Sequence, residues 1–219
     1  MDSRKILFVA LIVLILFAIG FNLFGFEHNN PLAESLKAHE SKEDVSMAVT
    51  GDIMLGRNVA GAIGTDSLPL AGISNVTSNV DLLLINLENA ATTSENAVKG
   101  DIPLKCNPSD VVLAKGNNNT IAALANNHVC DYGIGGMNDT IKTVKDAGMS
   151  PIGAGSDETQ AHAPAVEEIG GRNITIFNYM DSNNFAEYGY DVMPYANGSA
   201  PGYSAYNSKV AQKDIADAR

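Results

Sequence analysis

Basic residues are scarce in this sequence. Its 219 residues include 14 Lys and Arg against 25 Asp and Glu, a formal charge of −11, and no run of basic side chains. Nucleic-acid binding draws on cations meeting phosphates, so an acidic chain without a basic patch is a poor partner for DNA or RNA. Cysteine is nearly absent. Cys106 and Cys130 allow one disulfide in an oxidising compartment, but spacing alone does not bring their Cα atoms into bridging range. A third reading makes Cys130 a nucleophile beside His128. A dinucleotide fingerprint is missing too: Gly153-Ala154-Gly155 is a lone Gly-x-Gly, weak as a phosphate loop. Histidine occurs four times, at 28, 39, 128 and 162.

What is present begins with a long apolar run. Ile6 to Phe26 is apolar apart from Asn22 and two glycines, and at a helical rise of ~1.5 Å it covers the roughly 30 Å of a bilayer core. Arg4 and Lys5 precede it and Glu27, Glu34 and Glu40 follow it. The positive-inside rule then places the N-terminus in the cytoplasm and the rest outside the cell membrane, a single-pass topology. The rival reading is a cleaved signal peptide. Its small-x-small exit is poorly formed here, which favours an uncleaved anchor. Residues 1–26 hold Arg4, Lys5 and Asp2, a net +1, which leaves −12 on the exported part. Residues 27–44 are polar and aperiodic and read as a tether. Residues 45–219 suffice for one domain with a real core.

Three apolar strands in that domain end in polar residues. Val45 to Thr50 runs into Gly51-Asp52, Leu82 to Ile85 into Asn86-Leu87-Glu88, and Ile121 to Ala125 into Asn126-Asn127-His128. In open α/β sheets, ligands bind at the carboxyl edge of parallel strands. If these strands are parallel neighbours, Asp52, Asn86, Glu88, Asn126, Asn127 and His128 converge there. Carboxylate, amide oxygen and imidazole together suit divalent Mn, Mg, Fe or Zn. The bland alternative is that asparagine and glycine simply make turns. Arg57, five residues past Asp52, either holds an anionic group, pairs with a nearby acid, or is an ordinary surface arginine. Asp131 either caps the helix that follows or braces His128.

The remaining elements are plainer. Asn58 to Val80 reads as small and glycine-dotted, with Leu68, Leu70, Ile73 and Val76 as packing residues of a helix. Ala90 to Lys99 reads as a loop, and Ile102 to Cys106 as an edge strand because of Pro103. Pro108 to Lys115 is a short helix capped by Asn107 or Ser109, packing Val111, Val112 and Ala114. Ile134, Met137, Ile141 and Val144 recur at helical spacing, and Ala147-Gly148 ends that helix. Arg172 to Tyr179 is a strand. Residues 180–208 are aperiodic and carry Tyr188, Tyr190, Tyr195, Tyr203 and Tyr206, either an aromatic wall for a saccharide or polymer or a covering loop. Asn207 to Arg219 predicts an amphipathic helix. Sequons occur at Asn75, Asn118, Asn138, Asn173 and Asn197; roughly two or three would arise by chance in an Asn-rich chain, so they only hint at glycosylation.

Gly51-Asp52-Ile53-Met54-Leu55-Gly56-Arg57, then Asn86-Leu87-Glu88, then Ala125-Asn126-Asn127-His128 with Asp131-Tyr132-Gly133, resembles the CapA family. These are capsule and poly-γ-glutamate synthesis proteins whose domain is similar to calcineurin-like metallophosphoesterases. The resemblance runs from about Val45 to the C-terminus and implies a layered α/β/β/α sandwich. It implies metal ligation by Asp52, Glu88 and Asn127 at a mono- or dinuclear centre, and His128 as the catalytic group assisting the leaving oxygen. Asn86, Asn126, Asp131 and Arg57 would support them, and a surface polymer or phosphorylated small molecule would be the partner. Two departures stand out. Met54 occupies the place of the histidine in the phosphoesterase Asp-x-His motif. The family's later strand-end histidine and Gly-His-x-His segment have no counterpart before Arg219, so the expectation is either a C-terminally truncated product or an incomplete site on a marginal fold. The other expectation is accordingly a surface module that binds polymer or a partner without chemistry.

Overall fold

Strand-forming apolar runs and helix-forming amphipathic ones alternate along the domain, and the computed structural model arranges them accordingly. It describes residues 44–63, 70–98, 102–116, 119–181 and 193–219. In chain order these form β1 (Met47–Ile53), α1 (Arg57–Ile63), α2 (Ser74–Thr77), β2 (Leu82–Leu87), β3 (Ala90–Ala91) and β4 (Lys105–Cys106). Then come β5 (Asn119–Ala123), α3 (Gly133–Asp146), β6 (Ser150–Ile152), β7 (Ala154–Gly155) and α4 (Glu158–His162). The last are β8 (Ala165–Ile169), β9 (Arg172–Ile176), β10 (Gly202–Tyr203) and α5 (Ser208–Asp217). Short 3-10 turns cover Ala71–Ile73 and Pro108–Ala114. The anchor expected over 1–26 and the tether up to residue 43 lie outside the described residues. Among those described, no helix is long and apolar enough to cross a membrane.

The architecture is mixed α/β around a four-stranded parallel sheet of order β1-β2-β5-β6. Side chains alternate across a strand, and β2 shows what each face meets. Leu83, Ile85 and Leu87 enter the main core with Leu55, Val111, Met137 and Val144, so α3 and the 108–114 turn cover that face. Leu82 joins Ile121, Ile152 and Ala165 in a second cluster, covered by Ile169, Ile174 and Ile176 of the β8–β9 hairpin. That hairpin turns through Gly170 and Gly171 at φ 56° and 67°, the two left-handed positions of a tight hairpin turn. Met47 and Val49 of edge strand β1 remain 49% and 61% exposed.

Several elements differ from expectation. Ile73 and Val76 are half exposed rather than packed, and Thr77 is the buried residue of α2; Leu68 lies outside the described residues. The 108–114 segment is 3-10 rather than α-helical, with Asn107 as its cap; Val111 and Ala114 pack while Val112 faces solvent. Gly153 and Gly155 serve close packing rather than a phosphate loop: a Cβ on Gly155 would collide with the Ala161 amide nitrogen of α4. Of the tyrosines past Met180, Tyr203 is buried in β10 while Tyr195 and Tyr206 are half exposed; Tyr188 and Tyr190 lie outside the described residues.

Burial of this kind sets the scale of core substitutions. Ile85→Ala, at a fully buried site, should lower unfolding free energy by about 3 kcal/mol in urea denaturation. Ile73→Ala, at a site 46% exposed, should change it by no more than ~0.5 kcal/mol.

Candidate functional site

Strand register builds the site. Asp52 of β1 lies opposite Asn86 of β2, and Asn86 opposite Ala123 of β5. A bulge between Val49 and Gly51, where Gly51 takes φ 71°, shifts β1 by one residue and brings Asp52 into that row. Backbone ties continue past the strands: Glu88 N–H donates to the Ile53 carbonyl at 2.9 Å, and Leu124 N–H to that of Ile152 at 2.8 Å.

The side chains then link across the edge. The Asn86 amide donates both its hydrogens, to Asp52 Oδ1 at 2.9 Å and to Glu88 Oε2 at 2.7 Å. Its oxygen accepts from Asn126 Nδ2 at 3.0 Å, and Asn126 donates also to the Leu87 carbonyl at 2.9 Å. The Asn126 oxygen accepts from the His128 backbone N–H at 3.0 Å, which fixes the turn that presents the imidazole. His128 Nδ1 meets Asp131 Oδ2 at 2.7 Å, and its Nε2 stands 4.0 Å from Glu88 Oε1. Asp131, 1% exposed, also accepts from Leu104 N–H at 2.7 Å. Of its two expected roles it takes the bracing one, since α3 has no side-chain cap at Tyr132.

Charge is unequally shared between the two acids. A hydrogen bond from Glu88, with another from Asn86, holds the Asp52 carboxyl below the usual range. Burial pushes Glu88 up, and Asp52 beside it adds to the rise. The pair thus favours one proton between two carboxylates.

Six of the sequence-derived residues, Asp52, Asn86, Glu88, Asn126, His128 and Asp131, form this one network. Asn127 follows on the same turn, half buried. Arg57 starts α1 with its side chain exposed and its backbone left-handed at φ 54°. Cys106 and Cys130 are free buried thiols, so the disulfide allowed by sequence does not form. Burial pushes both up to about 12, which removes Cys130 as a nucleophile. Two buttresses escaped sequence reading. Asn89, fully buried, accepts from Leu55 N–H at 2.9 Å and ties the chain beyond Asp52 to that beyond Glu88. Asn178 accepts from Ala125 N–H at 2.7 Å. Only Asn89 carried a signal, its place directly after Glu88.

The donor set fits a divalent ion in kind: two adjacent carboxylates and an imidazole whose far nitrogen is held by an acid. Among the described residues, however, no three His, Cys, Asp or Glu side chains are grouped so as to hold a metal ion by themselves. The arrangement is an open platform rather than a closed cage.

The family described as "Bacterial capsule synthesis protein PGA_cap" matches residues 46–219. The chain is similar to the capsule biosynthesis protein CapA of Bacillus anthracis, 29% identical over 188 residues, 83% of this chain and 44% of that protein. It is similar also to the PGA biosynthesis protein CapA of Bacillus subtilis (strain 168), 28% identical over 186 residues, covering 82% and 47%. A probable polyglutamine synthesis accessory protein of Mycobacterium tuberculosis is 34% identical over 91 residues, 41% of this chain and 24% of that one. The chain therefore spans about half the length of the two CapA proteins it matches.

The shared proton predicts a pH signature. Glu88 favours its neutral form in the fold, so ionising it costs stability. Near about pH 4 it is largely protonated folded or unfolded and the cost vanishes; the cost is complete once pH has risen through the elevated folded value. Asp52 acts in the opposite sense but keeps an amide donor when Glu88 becomes Gln. In chelator, Glu88→Gln should melt with the parent near pH 4 and roughly 2 °C above it at about pH 8. A gap that does not widen with pH in a thermal-melt series would contradict the shared proton.

Proposed function

Since the chain belongs to the bacterial capsule synthesis (PGA_cap) family, we propose that it is a membrane-anchored, extracytoplasmic metallophosphatase-like protein. It would act in the synthesis or export of capsule, poly-γ-glutamate or a related surface polymer. The observation that carries the chemical part is the Asp52–Asn86–Glu88 bridge with His128 Nε2 turned towards it. The central parallel sheet, with α3 on one face and a β-hairpin on the other, agrees with a metallophosphoesterase-like α/β/β/α sandwich. The anchor rests on the apolar run from Ile6 to Phe26.

In this reading Asp52, Glu88 and the Asn127 amide oxygen hold one or two divalent ions (Mn, Fe, Zn or Mg), with solvent and substrate oxygens completing the shell. Such an ion supplies Lewis acidity and an acidified water for attack on a phosphoryl group. His128, held by Asp131 at Nδ1, offers Nε2 to the leaving oxygen as proton donor. Asn86 keeps the two carboxylates together, Asn126 sets the His128 turn, and Arg57 at the start of α1 is the nearest basic residue in sequence to Asp52 for an anionic substrate group.

A second reading has one observation in its favour, the open metal platform among the described residues. It is a non-enzymatic surface module that binds polymer or a partner.

Thermal unfolding with manganese decides between them. An ion at 100 times its dissociation constant that binds only the folded state stabilises by ~2.7 kcal/mol, and Asp52→Asn should abolish the shift. With manganese, turnover of a phosphodiester or phosphomonoester should fall by about 100-fold or more in His128→Ala and Glu88→Gln. A cooperative melt with no manganese shift and no variant-sensitive turnover would leave the binding module standing.

A further inference from the structure

Beyond the end of β5 the chain leaves the sheet, and each backbone N–H of the turn must find an acceptor or lose a hydrogen bond. Leu124 N–H reaches the Ile152 carbonyl at the end of β6, and Asn126 N–H folds back to the Leu124 carbonyl, both at 2.8 Å. Ala125 N–H lies between them, where β6 has already ended and Gly153 has turned away at φ 88°. Its acceptor is the side-chain oxygen of Asn178, 53 residues on, at 2.7 Å. Asn178 sits two residues past β9, on the layer that covers the opposite face of the sheet from α3.

The neighbourhood is shaped around that bond. A Cβ on Gly153 would collide with Asn178 Oδ1 and come within 2.8 Å of both the Ala125 nitrogen and Cβ, so only glycine leaves room for the amide. The Gly153 carbonyl accepts from Ser204 N–H at 2.8 Å, and Met180 N–H donates to the Ser204 carbonyl at 2.9 Å. Through Ser204, Gly153 is thereby tied to the chain that follows Asn178. Immediately downstream of Ala125 come Asn126, Asn127 and His128.

We propose that Asn178 is a positioning residue for the candidate site: its side chain replaces the missing strand at Ala125 and sets the turn that carries Asn127 and presents His128 to the Asp52–Glu88 pair. The proposal rests on the metal-site reading of the preceding subsection and adds a residue outside the three strand-end motifs.

The test uses the full chain and manganese alone, with three readouts. Asn178→Ala removes the acceptor; Asn178→Asp keeps an oxygen at the same reach. In Asn178→Ala the Ala125 amide should lose its hydrogen-exchange protection and the manganese dissociation constant should rise by about tenfold, while melting stays cooperative. Asn178→Asp should keep the amide protected and bind manganese no more weakly than the parent. If Asn178→Ala does not melt cooperatively, Asn178→Ser, whose hydroxyl is too short to reach the amide, takes its place in the comparison. Exposed Ala125 with unchanged manganese affinity would mean a purely structural bond and overturn the proposal, as would an Ala125 amide still protected. Absence of manganese binding by the parent would instead overturn the metal-site reading, which the variants then cannot rescue.

Discussion

One side-chain amide holds the edge of the sheet together. Asn86 gives one N–H to Asp52 and the other to Glu88, and its oxygen accepts from Asn126. Without it, the two carboxylates from adjacent strands would lose their common amide donor and the tie to Asn126. With it, each acid has a fixed oxygen and the third strand end is tied to the first two. An amide suits this place because it offers two donors and an acceptor in one plane and carries no charge of its own. A lysine would neutralise the acids and close the site to a cation; a leucine would leave both without that donor.

The sheet makes that amide effective. Parallel strands end together on one edge, so residues far apart in sequence arrive as neighbours there. The bulge at Val49 to Gly51 corrects β1 by one residue, without which Asp52 would fall out of the Asn86 row. Polar side chains then fix the chain beyond each strand: Asn89 behind Leu55, Asp131 behind His128, Asn178 behind Ala125. Asn89 and Asn178 accept backbone hydrogen bonds that the departing strands no longer take, and leaving a buried donor unpaired costs roughly 1–3 kcal/mol.

Much of this was legible in sequence, and for a physical reason. Apolar runs that halt at Asp52, Asn86 and Asn126 advertise both a buried strand and a polar exit, and all three became neighbouring strands. The helix read from Ile134, Met137, Ile141 and Val144 formed as α3, and the one from Asn207 as α5 with Asn207 as cap. What escaped was non-local. Pattern cannot tell that Asn178 reaches back 53 residues, or that Asp131 turns to His128 rather than to its own helix. Nor can it tell that Ile73 and Val76 stay half exposed. Propensity near 71–77 favoured a packed helix, but only Thr77 is buried there. Spacing likewise left open whether Cys106 and Cys130 pair; both are free thiols in the structure.

The cost of the acid pair bears on what the site is for. Burial, with Asp52 beside it, pushes the Glu88 carboxyl up, so ionising it works against the fold. A module that needed only shape would gain from the Glu88→Gln exchange, which keeps the Asn86 contact and removes the repulsion. Perturbed carboxylates concentrate where ions or reacting groups are handled, and proteins tolerate such local instability where function calls for it. A divalent cation held by Asp52 and Glu88, as proposed above, would offset that cost. Asn86 bridges the pair and Asp131 braces His128 from behind. That arrangement suits the cation-handling role proposed above, because it keeps two carboxylates and an imidazole nitrogen on one edge of the sheet.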